Sequence, residues 1–258
     1  MPVTLHQSLL RNARVSTLRA KPRPADGKEG QPPCPHGYNQ TMPFDRAILG
    51  RTGIEVCRIG LASSYGAPAS AVALAFDRGV NYFYWGSIRR GGFGDGLRAL
   101  APRRDRFLLV TQSYSRMASL VGPSLERALK ALRFDYTDVL LLGLWNGMPP
   151  PRILEACRKL RERGLVRYVA ISTHNRPLIG RLAGDPQFDI FHVRYNAVHR
   201  GAEREVFSQF EAKNPPGLVS FTATSLVGGS YWDTNAFRAA RGSPPQPIVT
   251  GLCWRSRR

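Results

Sequence analysis

A tyrosine–tryptophan pair, Tyr84-Trp85, is followed within a few residues by Arg89 and Arg90 and by Gly91, Gly92 and Gly94. Guanidinium forks bind carboxylate and phosphate oxygens in bidentate geometry, and glycine-rich backbone presents N–H groups to an anion. The segment reads as a site for an anionic substrate, with Arg89 and Arg90 as its cationic groups. It reads equally as a solvated basic loop beside a packed aromatic strand. Gly91-Gly92-Phe93-Gly94 is not a dinucleotide fingerprint, because no apolar helix with the required spacing is expected after it. Cys34, Cys57, Cys157 and Cys253 are scattered without CxxC or CxxH spacing, so no zinc site is expected. A reducing cytoplasm is their simplest setting. Cys34 and His36 are neighbours, but two ligands in a Pro/Gly-rich loop do not make a site.

The formal net charge is +19, and much of it lies at the two ends, in Arg11, Arg14, Arg19, Lys21 and Arg23 and in Arg255, Arg257 and Arg258. Such a charge draws polyanions without a specific site. No nucleic-acid-binding motif and no regular aromatic platform accompany it. The expectation is weak, salt-sensitive attraction through the tails and no specific nucleic-acid partner. No apolar run approaches the roughly 18–20 residues of a membrane span, so no membrane partner is expected. Residues 1–44 hold Pro22, Pro24, Pro32, Pro33 and Pro35 and little periodic hydrophobicity. They read as a flexible basic leader, with a transit peptide as the alternative.

From residue 46 onward, strand-length apolar runs alternate with helical patterns. Strands are expected over 58–63, 81–86, 107–111, 139–142, 167–172, 190–195 and 218–222. Helices are expected over 69–78, 120–132, 151–163, 176–183 and 202–212. The helix over 120–132 carries Leu125, Ala128, Leu129 and Leu132 at the i, i+3, i+4, i+7 spacing. That over 151–163 has Pro at its start and Gly164 after its end. Continuous apolar strands are buried on both faces, as in a parallel sheet covered by helices. The order favours a barrel or a doubly wound sheet. An eighth strand is hard to find: residues 226–246 are rich in Gly, Ser, Pro and Arg, and 247–251 is the only candidate. A barrel without it would expose two unpaired edges.

Local motifs choose between barrel and open sheet. Leu49-Gly50-Arg51-Thr52-Gly53-Ile54-Glu55-Val56 followed by Arg58-Ile59-Gly60-Leu61 resembles the opening hairpin and first strand of the aldo-keto reductases. Gly79-Val80-Asn81-Tyr82-Phe83 resembles the approach to their second strand, and Arg106-Phe107-Leu108-Leu109-Val110-Thr111 their third. Ser124-Leu125-Glu126-Arg127-Ala128-Leu129-Lys130-Ala131-Leu132 with Asp135-Tyr136-Thr137-Asp138-Val139 is similar to the third helix and fourth strand. Gly164-Leu165-Val166-Arg167-Tyr168-Val169-Ala170-Ile171-Ser172 is similar to the fifth. The resemblance runs in family order from about residue 49 to about 225. It implies an α/β fold, a parallel (β/α)8 TIM-type barrel with its last β/α unit degenerate or missing. The resulting division is a leader over 1–44, a barrel over 45–225 and an irregular basic tail over 226–258.

In that family an Asp and a Tyr follow the second strand, a Lys ends the third and a His ends the fourth. The Tyr protonates the substrate carbonyl, the Lys and Asp tune its acidity, and the His orients the substrate. None of the four is kept. Tyr84 takes the Asp position, Arg89 the Tyr position, Gln112 the Lys position and Gly143 the His position. Guanidinium stays charged, an amide lowers no phenol's pKa, and glycine has no side chain. Tyr84 is then the candidate replacement acid, adjusted by His174 or His192.

The cofactor positions match better. Ser172 and Thr173 stand where the family binds the carboxamide of the cofactor, His192 where it uses Gln, and Phe221 where an aromatic stacks on the nicotinamide. Each also reads as an ordinary structural residue. The resemblance implies a cytoplasmic NADP(H)-linked oxidoreductase reducing a small carbonyl compound or oxidising an alcohol, with altered or lost catalytic residues. The alternative is a non-catalytic barrel that binds a nucleotide, an anionic ligand or a partner protein. The loop and helix with which the family grips the cofactor phosphates are unrecognisable here.

Overall fold

Two short strands, β1 (Arg46–Ile48) and β2 (Glu55–Cys57), pair antiparallel ahead of the main sheet. The turn between them needs Gly50, at φ 49°, in the left-handed region where a side chain is strained. Leu49, Ile54 and Val56 of this hairpin pack into the apolar cluster that fills the barrel. The computed structural model describes residues 44–86, 92–196, 199–210, 214–222 and the backbone of 248–253.

The barrel strands follow as β3 (Ile59–Ala62), β4 (Tyr82–Trp85), β5 (Leu108–Ser113), β6 (Thr137–Leu142), β7 (Val166–Thr173), β8 (Ile190–Arg194), β9 (Gly217–Phe221) and β10 (Ile248–Cys253). Each pairs parallel with the next, and β10 closes the ring against β3. The candidate eighth strand over 247–251 corresponds to this last strand. Thr250 is in register with both Ile59 and Ser220, so β10 meets both edges that would otherwise be bare. The flanking residues 223–247 and 254–258, most of the expected tail, lie outside the described residues, as do residues 1–43 of the expected leader over 1–44.

The helices are α1 (Ala69–Asp77), α2 (Phe93–Ala99), α3 (Ala118–Leu132), α4 (Pro151–Glu162), α5 (Arg176–Leu182) and α6 (Ala202–Glu205), the last followed by a 3-10 turn at Phe207–Phe210. Helix α2 corrects the reading of its segment as a glycine-rich loop. Its glycines serve close packing. A Cβ on Gly96 would lie 2.6 Å from Val72 Cβ and 3.1 Å from Ala69 Cα, so α1 and α2 touch through backbone.

Alternation along β4 sorts its side chains. Tyr82 and Tyr84 join the cluster inside the barrel, whereas Phe83 and Trp85 join the larger cluster between barrel and helices. Tyr84-Trp85 is thus no functional pair, since the two rings face opposite sides. Opposite the mouth, Asp138 is 2% exposed. It accepts from Arg104 at 2.6 Å, Arg167 at 3.0 Å and the Leu109 N–H at 2.9 Å, which ties β5, β6 and β7 together.

Candidate active site

A cavity of about 220 Å³ opens at the C-terminal ends of the strands, the end where barrels of this type place their sites. Tyr84, Gln112, Tyr114, Ser172, His192 and Phe221 are among its walls, with Leu61, Leu141 and Leu144 as apolar neighbours. The half-buried Tyr84 donates its phenolic hydrogen bond to Gln112 Oε1. Burial, and then the neighbouring Tyr114 phenol, raise the Tyr84 pKa well above its ordinary value. The hydroxyl is therefore firmly protonated at neutral pH.

The missing side chain at Gly143 has a steric cause. A Cβ there would meet Gln112 Nε2, and would lie 2.8 Å from Tyr114 Cε1 and 2.9 Å from Cδ1. Gly86, after β4, likewise leaves room for the Gln112 Cβ and the Tyr84 hydroxyl. Tyr84, Gln112 and Tyr114 occupy the space as a unit, with glycines where more bulk would collide.

Below them, Tyr82 Oη lies 2.9 Å from His192 Nε2. His192 is 5% exposed, and burial lowers its pKa to about 3, so the imidazole is neutral. Burial also raises the Tyr82 pKa. Ser172 and His192 are register neighbours on β7 and β8. Ser172 Oγ accepts from the Leu144 N–H at 2.9 Å, which leaves its own hydrogen free to donate.

Two rim residues, Leu144 at φ 53° and Thr222 at φ 55°, hold left-handed backbone without being glycine. Each such residue costs about 1–3 kcal/mol and needs surrounding bonds to hold it. Arg116 donates to Leu144 O at 2.8 Å and to Gly143 O at 3.0 Å, and Asn196 Nδ2 donates to Thr222 O at 3.1 Å.

Of the residues singled out in the sequence, Tyr84, Ser172, His192 and Phe221 line this one cavity. Thr173 and His174 line a neighbouring hollow with Arg176, Arg194 and His199. His174 stands edge-on to Phe221 with ring centroids 5.7 Å apart, between the two spaces. Neither histidine touches Tyr84: His192 is bonded to Tyr82, and His174 faces Phe221. The expectation that one of them adjusts Tyr84 is corrected, since the groups beside its hydroxyl are Gln112 and Tyr114. Arg89 and Arg90 lie outside the described residues. Tyr82 and Tyr114 were missed by motif reading. The period of two along β4 and β5 carries the signal, Tyr82 being two before Tyr84 and Tyr114 two after Gln112.

No Asp, Glu, Lys or Arg is among the described residues that line the cavity. It offers apolar walls, hydroxyls, one amide and a neutral imidazole, a set suited to an uncharged polar ring.

A parallel β/α barrel with a phenol at its mouth defines a class, and comparison with known proteins supplies the family. The aldo/keto reductase family profile matches residues 67–246, and the chain belongs to that family. It is 28% identical over 150 residues to an L-galactose dehydrogenase of Arabidopsis thaliana, covering 48% of this chain and 47% of the relative. It is 24% identical over 144 residues to the methylglyoxal reductase DkgA of Yersinia pestis, covering 54% and 50%. The chain thus spans about half the length of these curated relatives. Two solved structures assigned to the aldo-keto reductases, both from Pseudomonas aeruginosa, superpose with TM-scores of 0.64 and 0.67, each at 21% identity. They cover 81% and 84% of this chain, and 87% and 92% of their own.

Proposed function

We propose that this chain is a nicotinamide-linked oxidoreductase that interconverts a small carbonyl compound and its alcohol, with Tyr84 as the hydroxyl that meets the substrate oxygen. The observation that carries this is the placement of Tyr84 in one cavity with Ser172, His192 and Phe221, among described walls that carry no charge. The relatives named as a dehydrogenase and a reductase support the same reaction class.

The residues present fit a nicotinamide group. A carboxamide needs one donor and one acceptor. The Ser172 hydrogen is free to donate, and neutral His192 engages Tyr82 through one ring nitrogen, which leaves the other. Phe221 offers a ring at the mouth. When bound, NADP(H) supplies or takes up a hydride at the substrate carbon.

In the reducing direction, Tyr84 gives its proton to the substrate oxygen and regains one from water. It must first turn its hydrogen from Gln112 Oε1. With no cation among the described residues that line the cavity to lower its raised pKa, Tyr84 is a weak acid, and slow turnover is expected. Leu61, Leu141 and Leu144 favour a small substrate without charge at its reacting end. Arg89 and Arg90 remain the proposed contacts for an acidic group further out. A cytoplasmic setting is part of this proposal. Among the described residues, no helix is long and apolar enough to cross a membrane.

A second reading, a non-catalytic barrel that keeps the pocket as a binding site, draws on the same uncharged lining. NADPH oxidation with a panel of aldehydes, in the native chain and in Tyr84→Phe, separates the two. Turnover lost with the hydroxyl supports the enzyme. Calorimetric binding of NADPH without turnover supports the binder.

A further inference from the structure

We infer that the hollow beside the central cavity, between the ends of β7 and β8, is a binding site for a phosphate group. Its described walls are Thr173, His174, Arg176, Arg194 and His199, and no carboxylate is among these described residues. Two guanidinium groups and two imidazoles converge there, and the described residues provide only part of what they need.

Arg194 ends β8 and is half-buried. Its Nε is shut off from solvent without a hydrogen-bond partner, and no ion pair engages it among the described residues. His199 Nε2 is in the same condition. A guanidinium without an ion-pair partner among the described residues, lining a hollow beside a second guanidinium and two imidazoles, points to an anion from outside the chain.

The remaining walls are held in place by the protein. Arg176 is clamped by Glu205 through bonds of 2.9 and 3.1 Å, and its guanidinium lies so close to Gly201 that a side chain there would collide. The Thr173 hydroxyl accepts from the Asn175 N–H at 2.9 Å. The His174 and His199 backbones are pinned by Asn146 Oδ1 at 3.2 Å and Asn196 Oδ1 at 2.8 Å. Fixed walls around unpaired donors make a preorganised site. Several donors arriving from different directions suit a tetrahedral oxyanion better than a flat carboxylate. The site stands whether or not the central cavity reduces a carbonyl.

The phosphate has two possible sources, free phosphate or the phosphate ester of a small molecule whose body lies in the adjoining cavity. Proton NMR of the imidazoles distinguishes them, with inorganic phosphate and phenyl phosphate as probes on the full chain at fixed ionic strength. Saturable shifts of the His174 and His199 resonances, with His192 unmoved, are expected from inorganic phosphate. A tighter response to phenyl phosphate, with His192 also moving, assigns the site to an ester. In Arg194→Gln the affinity should fall about tenfold or more, as expected for loss of a charge-assisted pair. Arg163→Gln, on the exposed ion pair with Glu126 before the N-terminal end of β7, should leave it unchanged. Should Arg194→Gln fail to fold, His199→Ala gives the same reading through the His174 resonance. Shifts that do not saturate, or that survive both variants, would mean diffuse attraction to a basic protein and overturn the site.

Discussion

Tyr84, at the end of β4, donates its hydrogen bond to the side-chain oxygen of Gln112, near the end of β5. In the family this chain resembles, a charged lysine takes the position of Gln112. An amide oxygen accepts the hydrogen bond but carries no charge to favour loss of the proton. The bond therefore holds Tyr84 in place and keeps it neutral, and much of the expected behaviour follows from that.

Removing the hydroxyl should remove the chemistry and leave the pocket. Tyr84→Phe is expected to lower aldehyde-dependent NADPH oxidation by about 100-fold or more, the low end for a general acid. NADPH affinity should stay within about twofold, because Ser172, His192 and Phe221 are untouched. Steady-state kinetics with a parallel binding titration checks both. Equal loss of affinity would mean that the ring, not the proton, is what matters.

His192 should make the fold acid-sensitive. Its folded pKa is lowered to about 3 by burial, from 6.5 in the unfolded chain. Between those values the unfolded state binds the extra proton, so stability is present above 6.5 and is lost as pH falls towards 3. From pH 6.5 to 5 the loss is about 2 kcal/mol at most. Urea unfolding across that range should show it in the native chain, and His192→Gln should flatten it.

Restoring the family's histidine should not restore activity by itself. Gly143→His places its Cβ against Gln112 and Tyr114 and should destabilise the chain by about 1–3 kcal/mol, as overpacking does. Calorimetric melting measures this. Adding Tyr114→Ala should return part of the loss.

The contact between α1 and α2 makes a similar demand. Gly96→Ala is expected to cost about 1–3 kcal/mol, and Val72→Ala to relieve it in a double-mutant cycle. Two costs that simply add would show that the helices are free to move apart.

Breaking the clamp at Asp138 should be severe. Asp138→Asn leaves Arg104 and Arg167 without their shared carboxylate, at an expected cost of about 3–5 kcal/mol. Chemical denaturation tests it.

What the sequence made legible was set locally. Val139-Leu140-Leu141-Leu142 is apolar throughout because both faces of β6 are covered, and Pro151 with Gly164 punctuates α4. Helix α2 was hidden because its glycines, read by propensity as a loop, serve a contact with Val72 that lies outside the segment. Strand β10 was doubted for a related reason: its pairing with β3 and β9 is non-local and leaves no periodic mark in six residues. Within the site, Ser172, His192 and Phe221 were found through family order. The bond of Tyr82 to His192, 110 residues apart, and the filling of the Gly143 space by Tyr114 depend on barrel closure, which no short window contains.

Titrating the intact chain with NADPH while following the cofactor's fluorescence tests most directly whether the barrel mouth is a nicotinamide pocket. A saturable change, weakened about tenfold or more in Phe221→Ala, is the predicted result. A curve that never saturates, or one that Phe221→Ala leaves unaltered, would contradict it.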